Sequence, residues 1–159
     1  MKIVFLDVDG VLNCGTTEDA IGSYLGVDDE KVGLLERIVR SANAQIVLTS
    51  TWKKYWYREA GKKCFQDAFA DRLDQALAAR GLCVLDKTED KTVFGLDRGE
   101  GILRWLKGRE VGAFVILDDC LFDFAKTGLT ARLVQTDGEL GLTEENVARA
   151  VELLGGSEP

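Results

Sequence analysis

Two aspartates one residue apart, Asp7 and Asp9, close the apolar run Ile3-Val4-Phe5-Leu6, and Gly10 follows. A second acidic pair, Asp118-Asp119, closes another apolar run, Phe114-Val115-Ile116-Leu117. Between them in sequence, Gln45-Ile46-Val47-Leu48 ends in the hydroxyls of Thr49, Ser50 and Thr51. Carboxylates crowded together repel strongly unless a cation sits among them. An all-oxygen donor set suits Mg²⁺ rather than zinc or copper. Bound Mg²⁺ keeps waters and takes one or two carboxylates plus substrate phosphate, so the chemistry this set suits is phosphoryl transfer. Histidine is absent, which removes Ser-His-Asp and Cys-His nucleophile schemes and imidazole bases. Catalysis is left to carboxylates, hydroxyls, Lys, Arg and a hard metal.

These groups meet only if the elements behind them share an edge. Strand-like runs over Lys2–Val8, Ala44–Thr49, Leu82–Leu85, Ala113–Leu117 and Ala131–Val134 alternate with helical spacing. The helices are expected over Asp28 or Asp29 to Ser41, Phe65–Arg80, Arg98–Lys107 and Thr143–Leu154. Asp28 or Asp29 caps the first, Gly81 stops the second and Thr143 caps the last. Asn13–Val27 and Asp86–Asp97 read as loops. The alternation predicts a three-layer α/β/α, Rossmann-like parallel sheet of about five strands. In such sheets ligands bind outside the carboxyl ends of the strands, where Asp7, Asp9, Thr49, Ser50, Asp118 and Asp119 would converge.

The 159 residues predict one domain over 1–154 and a disordered tail at 155–159. A net charge of −7 gives no whole-chain attraction to nucleic acid or anionic membrane. Asp7 interrupts the N-terminal apolar run too early for a secretory leader, and no run approaches the ~18 apolar residues of a membrane span. A cytoplasmic protein is the expectation. The four cysteines, Cys14, Cys64, Cys83 and Cys120, are widely separated and read as free thiols rather than a disulfide or zinc framework.

The ordered set resembles the haloacid dehalogenase (HAD) superfamily across nearly the whole chain. Asp7-Val8-Asp9-Gly10-Val11-Leu12 is similar to its first motif, Leu48-Thr49-Ser50 to its second and Ile116-Leu117-Asp118-Asp119 to its fourth. A nearer resemblance is to the small HAD domains of the Swiss Army Knife RNA repair type. It rests on Gly10-Val11-Leu12-Asn13, Thr49-Ser50-Thr51-Trp52, Arg98, Asp118-Asp119 and Gly141-Leu142-Thr143. Lys53 stands where an arginine is common in that group.

The resemblance implies an Mg²⁺-dependent phosphatase. Asp7 would attack phosphorus to give an aspartyl-phosphate. Asp9 would act as acid and then base, with its backbone carbonyl on the metal. Thr49 would bind a phosphoryl oxygen, and Arg98 would neutralise charge on the transferring group. Asp118 would ligate Mg²⁺ directly and Asp119 through water, completing a metal set of Asp7, Asp9, Asp118 and Asp119. Gly10, Ser50, Trp52 and Lys53 complete the expected substrate contacts. A carboxyl two residues after the nucleophile marks the phosphatases of the superfamily.

Several positions carry two readings. Lys91 and Lys87 compete with Arg98 for the cation's role. Asp123 is a further metal-shell group or a solvated helix position, and Ser50 a phosphate ligand or a helix cap. Trp52–Lys63 holds five basic residues against one acidic. It either tracks phosphates and stacks bases or forms an amphipathic helix with its aromatics in the core. The gaps after the first strand and before Arg98 are too short for a cap domain. An open site suits a large phosphorylated substrate, such as a nucleic-acid end, as well as a nucleotide. The alternative is a non-catalytic or receiver-like module that only holds Mg²⁺ or phosphate. An intact cation beside the carboxylates separates the two.

Overall fold

The computed structural model describes residues 1–56, 67–92 and 94–156. Five strands form one parallel sheet in the order β5-β4-β1-β6-β7: β1 (Lys2–Leu6), β4 (Gln45–Leu48), β5 (Val84–Lys87), β6 (Ala113–Asp118) and β7 (Leu133–Gln135). The central strand β1 pairs with β4 on one side and β6 on the other, Leu6 lying opposite both Leu48 and Leu117. Ile3 through Leu6 are fully buried, because a strand with helices on both sheet faces must be apolar on both.

The alternation of side chains along β1 splits the core in two. Val4 and Leu6 pack with Leu35 and Ile38 of α1 (Asp29–Ala42), Leu73 and Leu77 of α2 (Ala68–Ala78), and Val147 and Val151 of α4 (Glu144–Leu153). Ile3 and Phe5 face the other way, onto Ile102 and Trp105 of α3 (Arg98–Leu106). The Phe5 and Trp105 rings meet edge to face at 5.5 Å. The layout is the expected three-layer sandwich without a cap.

Local signals set the helix ends. Asp28 accepts from the Glu30 N–H to cap α1, and Asp67 does the same for α2 through Phe69 and Ala70. Thr143 and Asn146 form a reciprocal capping box at α4.

Two expectations need correction, and a third is met only in part by the described residues. The loop after β1 contains a small antiparallel hairpin, β2 (Ala20–Ile21) and β3 (Tyr24–Leu25). The third strand of the sequence reading lies two residues later, at Val84–Lys87, after a turn around Gly81 at φ +68°. The aromatic-basic stretch opens as a 3₁₀ turn over Thr51–Tyr55, while residues 57–63 lie outside the described residues, as do Cys64, Phe65 and the tail at 157–159. Among the described residues no helix is long and apolar enough to cross a membrane.

Candidate active site

The carboxyl ends of β1, β4 and β6 bring Asp7, Thr49 and Asp118 to one edge. Asp7 continues the sheet for one bond, its N–H donating to the Leu117 carbonyl at 2.9 Å, and its side chain is almost buried. Arg98, the first residue of α3, reaches across and sets one nitrogen, Nη1, 2.9 Å from Asp7 Oδ2 and 2.5 Å from Asp118 Oδ2. Both Arg98 and Asp118 are buried. Burial works against the Arg98 charge, but Asp7 and Asp118 outweigh it and hold the guanidinium above its ordinary pKa. Burial, reinforced by the Asp7 charge, pushes the Asp118 carboxyl up to about 7. One guanidinium therefore undercompensates two buried carboxylates.

Of the three competing cations, only Arg98 meets the acids. The Lys87 amine donates to the Lys53 and Trp56 carbonyls, and Lys91 sits in an exposed loop. Lys53, expected to touch substrate, turns inward: its amine donates to the Thr49 carbonyl, Thr88 Oγ1 and Asp90 Oδ2 at 3.1, 3.0 and 2.6 Å. Those three bonds use all the donors an ammonium has. Burial lowers its pKa against the pull of Asp90. Lys53 thus braces the Thr49 loop from behind.

Hydroxyls divide the same way. Ser50 Oγ accepts from the Trp52 N–H at 3.2 Å and so caps the 3₁₀ turn. Among the described residues, Thr49 Oγ1 is buried with no hydrogen-bond partner, as is Arg98 Nε. Unpaired buried polar groups are costly and rare; two of them at the edge that also holds Asp7 suit an oxygen-rich ligand.

Asp9 lies outside the buried cluster, exposed but held at both oxygens. Asn13 Nδ2 donates to Oδ1 at 2.9 Å and Trp52 Nε1 to Oδ2 at 3.0 Å. Asn13 also accepts from the Gly10 N–H through Oδ1 and donates to the Gly26 carbonyl. Gly10 is at φ +72°, and a Cβ there would come within 2.5 Å of Asp119 Oδ2, so only glycine lets the acidic loop close down. Thr136 Oγ1 donates to the Gly10 carbonyl at 2.6 Å. From the late Gly-Leu-Thr motif, the Leu142 N–H donates to the Val11 carbonyl, tying that motif to the first.

Two residues hold Arg98 in ways the sequence did not show. Asp123, half-buried, turns its carboxylate onto the start of α3. It accepts from the Gly99 and Glu100 N–H groups at 2.6 and 3.1 Å, capping α3 from across the chain, because Asp97 spends its carboxylate on the Lys91–Thr92 turn and Arg104. A Cβ on Gly99 would meet Thr127 Oγ1 at 2.5 Å. Phe122, at φ +40°, lays its ring 4.1 Å from the Arg98 guanidinium carbon. No local sequence signal marks a cap that lies more than twenty residues away.

The donor set fits a hard divalent cation. The Asp118 and Asp119 carboxylates and Cys120 Sγ approach within 4.8 Å of one another; the oxygens match Mg²⁺, whereas burial followed by the Asp119 carboxylate pushes the Cys120 thiol up to about 11, so it is a poor ligand. The described part of the aromatic-basic stretch has Trp52 and Trp56 buried and Trp56 Nε1 bonded to Asp74.

A family model described as the HAD domain in Swiss Army Knife RNA repair proteins matches residues 3–147. The chain belongs to that family, which implies hydrolase-type chemistry. No curated protein and no solved structure matches it.

Proposed function

Starting from that membership, we propose that the chain is a Mg²⁺-dependent phosphomonoester phosphatase that acts through an aspartyl-phosphate, on nucleic-acid ends or nucleotides. The observation that carries this reading is the meeting of Asp7 and Asp118 on one Arg98 nitrogen beside the unpartnered Thr49 hydroxyl. A cation held on the nucleophile is what transfer of a charged phosphoryl group to that carboxylate requires.

In this reading Asp7 attacks phosphorus and the bond to the leaving oxygen breaks. Asp9 gives that oxygen its proton, and the same carboxylate then takes a proton from the water that hydrolyses the aspartyl-phosphate. Asn13 and Trp52 hold Asp9 in one orientation for both steps. Arg98 and the Thr49 hydroxyl take the phosphoryl oxygens as charge builds on them. Asp7, Asp118, the Asp9 carbonyl and, through water, Asp119 would hold Mg²⁺, which supplies charge neutralisation and lets phosphate approach an acidic cluster.

A screen of nucleotides, sugar phosphates and 5′- or 3′-phosphorylated oligonucleotides tests it. The expected result is phosphate release with Mg²⁺ that EDTA abolishes reversibly. No release from any of them, with the protein folded and Mg²⁺ present, overturns the reading.

A further inference from the structure

Beside the acidic cluster the surface changes character. A cavity of about 530 Å³ runs from Asp9 and Asp119 to an aromatic wall of Tyr24, Trp52 and Phe69. A second, of about 250 Å³, opens on the same wall from the side of Thr51. Phe69 stands edge to face with Trp52 at 4.9 Å and with Tyr24 at 5.7 Å. Trp52 and Phe69 are the packed base of this stack. Tyr24, on the β2–β3 hairpin, is 66% exposed. Tyr24 thus extends a contiguous aromatic face of Trp52 and Phe69 outward beside the Asp9 carboxylate.

The hairpin is registered to the chemistry. Asn13 holds both Asp9 Oδ1 and the Gly26 carbonyl just after β3. Asp19, at the other foot, accepts from the Val27 N–H and pairs with Arg72 of α2. Trp52 carries the wall and, through Nε1, Asp9 itself. Any group resting on Tyr24 therefore lies at a fixed offset from the carboxylate that serves the leaving oxygen.

We propose that this cavity is the leaving-group subsite, in which Tyr24 stacks the base of a nucleoside whose phosphate sits at Asp7. The inference rests on the phosphatase reading for its phosphate end. Three features favour a nucleoside over other leaving groups. The wall offers π faces and edges, which suit a flat ring. Among the described residues no lysine or arginine lines either cavity, so the subsite takes the uncharged part of a substrate rather than a second phosphate. The rest of the rim includes residues with acceptor groups, Asp119, Glu139 and Ser23. Such a rim suits a ring and sugar that donate through amino and hydroxyl groups, and gives a bare phenyl ring nothing to bond.

The test compares Tyr24→Leu and Tyr24→Phe, both on an exposed side chain, on a nucleoside monophosphate and on ring-free glycerol phosphate. Loss of base stacking should lower the ratio of the two kcat/KM values roughly tenfold in Tyr24→Leu, while Tyr24→Phe keeps the wild-type ratio. An unchanged ratio in Tyr24→Leu overturns the subsite, and so does a wild-type preference for phosphotyrosine peptides that depends on Tyr24. Phosphorylated dinucleotides run beside mononucleotides distinguish a strand end from a free nucleotide, since either source presents the same unit to Tyr24. Quenching of tryptophan fluorescence by unphosphorylated nucleoside separates this inference from the phosphatase reading. Quenching in wild type that weakens about tenfold in Tyr24→Leu supports the subsite even if no substrate turns over. No quenching in wild type, or equal quenching in both, removes it even if phosphate release is robust.

Discussion

The two halves of the site are built differently. The phosphate half consists of Asp7, Arg98, Asp118 and Thr49, all buried, set on strand ends or the first turn of a helix and locked by ion pairs. The leaving-group half consists of Asp9, Asn13, Trp52, Tyr24 and Phe69, carried mainly on a turn, a 3₁₀ segment and a two-residue-per-strand hairpin, and open to water at Asp9 and Tyr24. In the proposed reaction the same phosphoryl group is processed whatever it is attached to, which suits a half set on strand ends and held by ion pairs. The other half meets what varies between substrates, and loops can vary without disturbing the sheet.

The largest break falls on the phosphate half. Arg98→Ala leaves Asp7 and Asp118 buried without their cation, which should destabilise the fold by about 3–5 kcal/mol. It should lower kcat roughly 10²–10³-fold on every substrate alike, read from denaturant melts and from kcat across the phosphate panel. A loss confined to one substrate would contradict the division. Next comes Trp52→Phe, which removes a hydrogen bond to Asp9 but leaves the phosphate half intact. The expected loss is about tenfold or more for alkyl phosphates, whose leaving oxygen needs a proton. Read as kcat/KM, which reports formation of the aspartyl-phosphate and not its hydrolysis, it should be near zero for p-nitrophenyl phosphate, whose leaving group needs no proton. Equal losses on both would mean that Trp52 supports the fold rather than the acid.

Asp123→Ala probes how far the rigid half extends. Removing the remote cap should cost about 1 kcal/mol and lower kcat several-fold with KM little changed, because Arg98 loses its fixed helix start. Stability loss with unchanged kcat would make the cap purely structural. The smallest effect concerns Asp97, behind the site. Burial acts to raise its pKa, but bonds from the Lys91 and Thr92 N–H groups, the Thr92 hydroxyl and Arg104 prevail and hold it well below the usual carboxylate range. A carboxylate depressed in the folded state contributes stability above its unfolded pKa of about 3.9, and loses it as pH falls below that value. Wild type should therefore lose more stability between about pH 5 and pH 2 than Asp97→Asn does, measured by melts across that range.

The strands behind Asp7, Thr49 and Asp118 were legible in the sequence because apolar runs that end in acids or hydroxyls are local patterns. β1, β4 and β6 lie where Ile3–Leu6, Ile46–Leu48 and Val115–Leu117 indicated, and Thr143 caps α4 as read. Strand β5 was misplaced because its apolar residues start in the turn, while the pairing runs on into Asp86 and Lys87. Their polar side chains are satisfied from elsewhere, by Trp105 Nε1 and by two backbone carbonyls. Much of the leaving-group half was hidden for a related reason. Strands of two residues leave no periodicity, and Tyr24 is an isolated aromatic in a polar loop. The inward turn of Lys53 and the reach of Asp123 to α3 depend on partners 35 or more and 24 residues away, which no window of sequence contains.

The most direct measurement is a rapid acid quench during turnover of p-nitrophenyl phosphate, whose leaving group needs no acid, followed by tryptic digestion and peptide mass analysis, in wild type and in Asp9→Asn, which lacks the base that hydrolyses the intermediate. Hydrolysis through Asp7 predicts a hydroxylamine-labile phosphoryl group on the peptide Ile3–Lys31, localised to Asp7, more abundant in Asp9→Asn and absent in Asp7→Asn. Phosphate release with no phosphorylated Asp7 in either protein, or sustained turnover by Asp7→Asn, would contradict it.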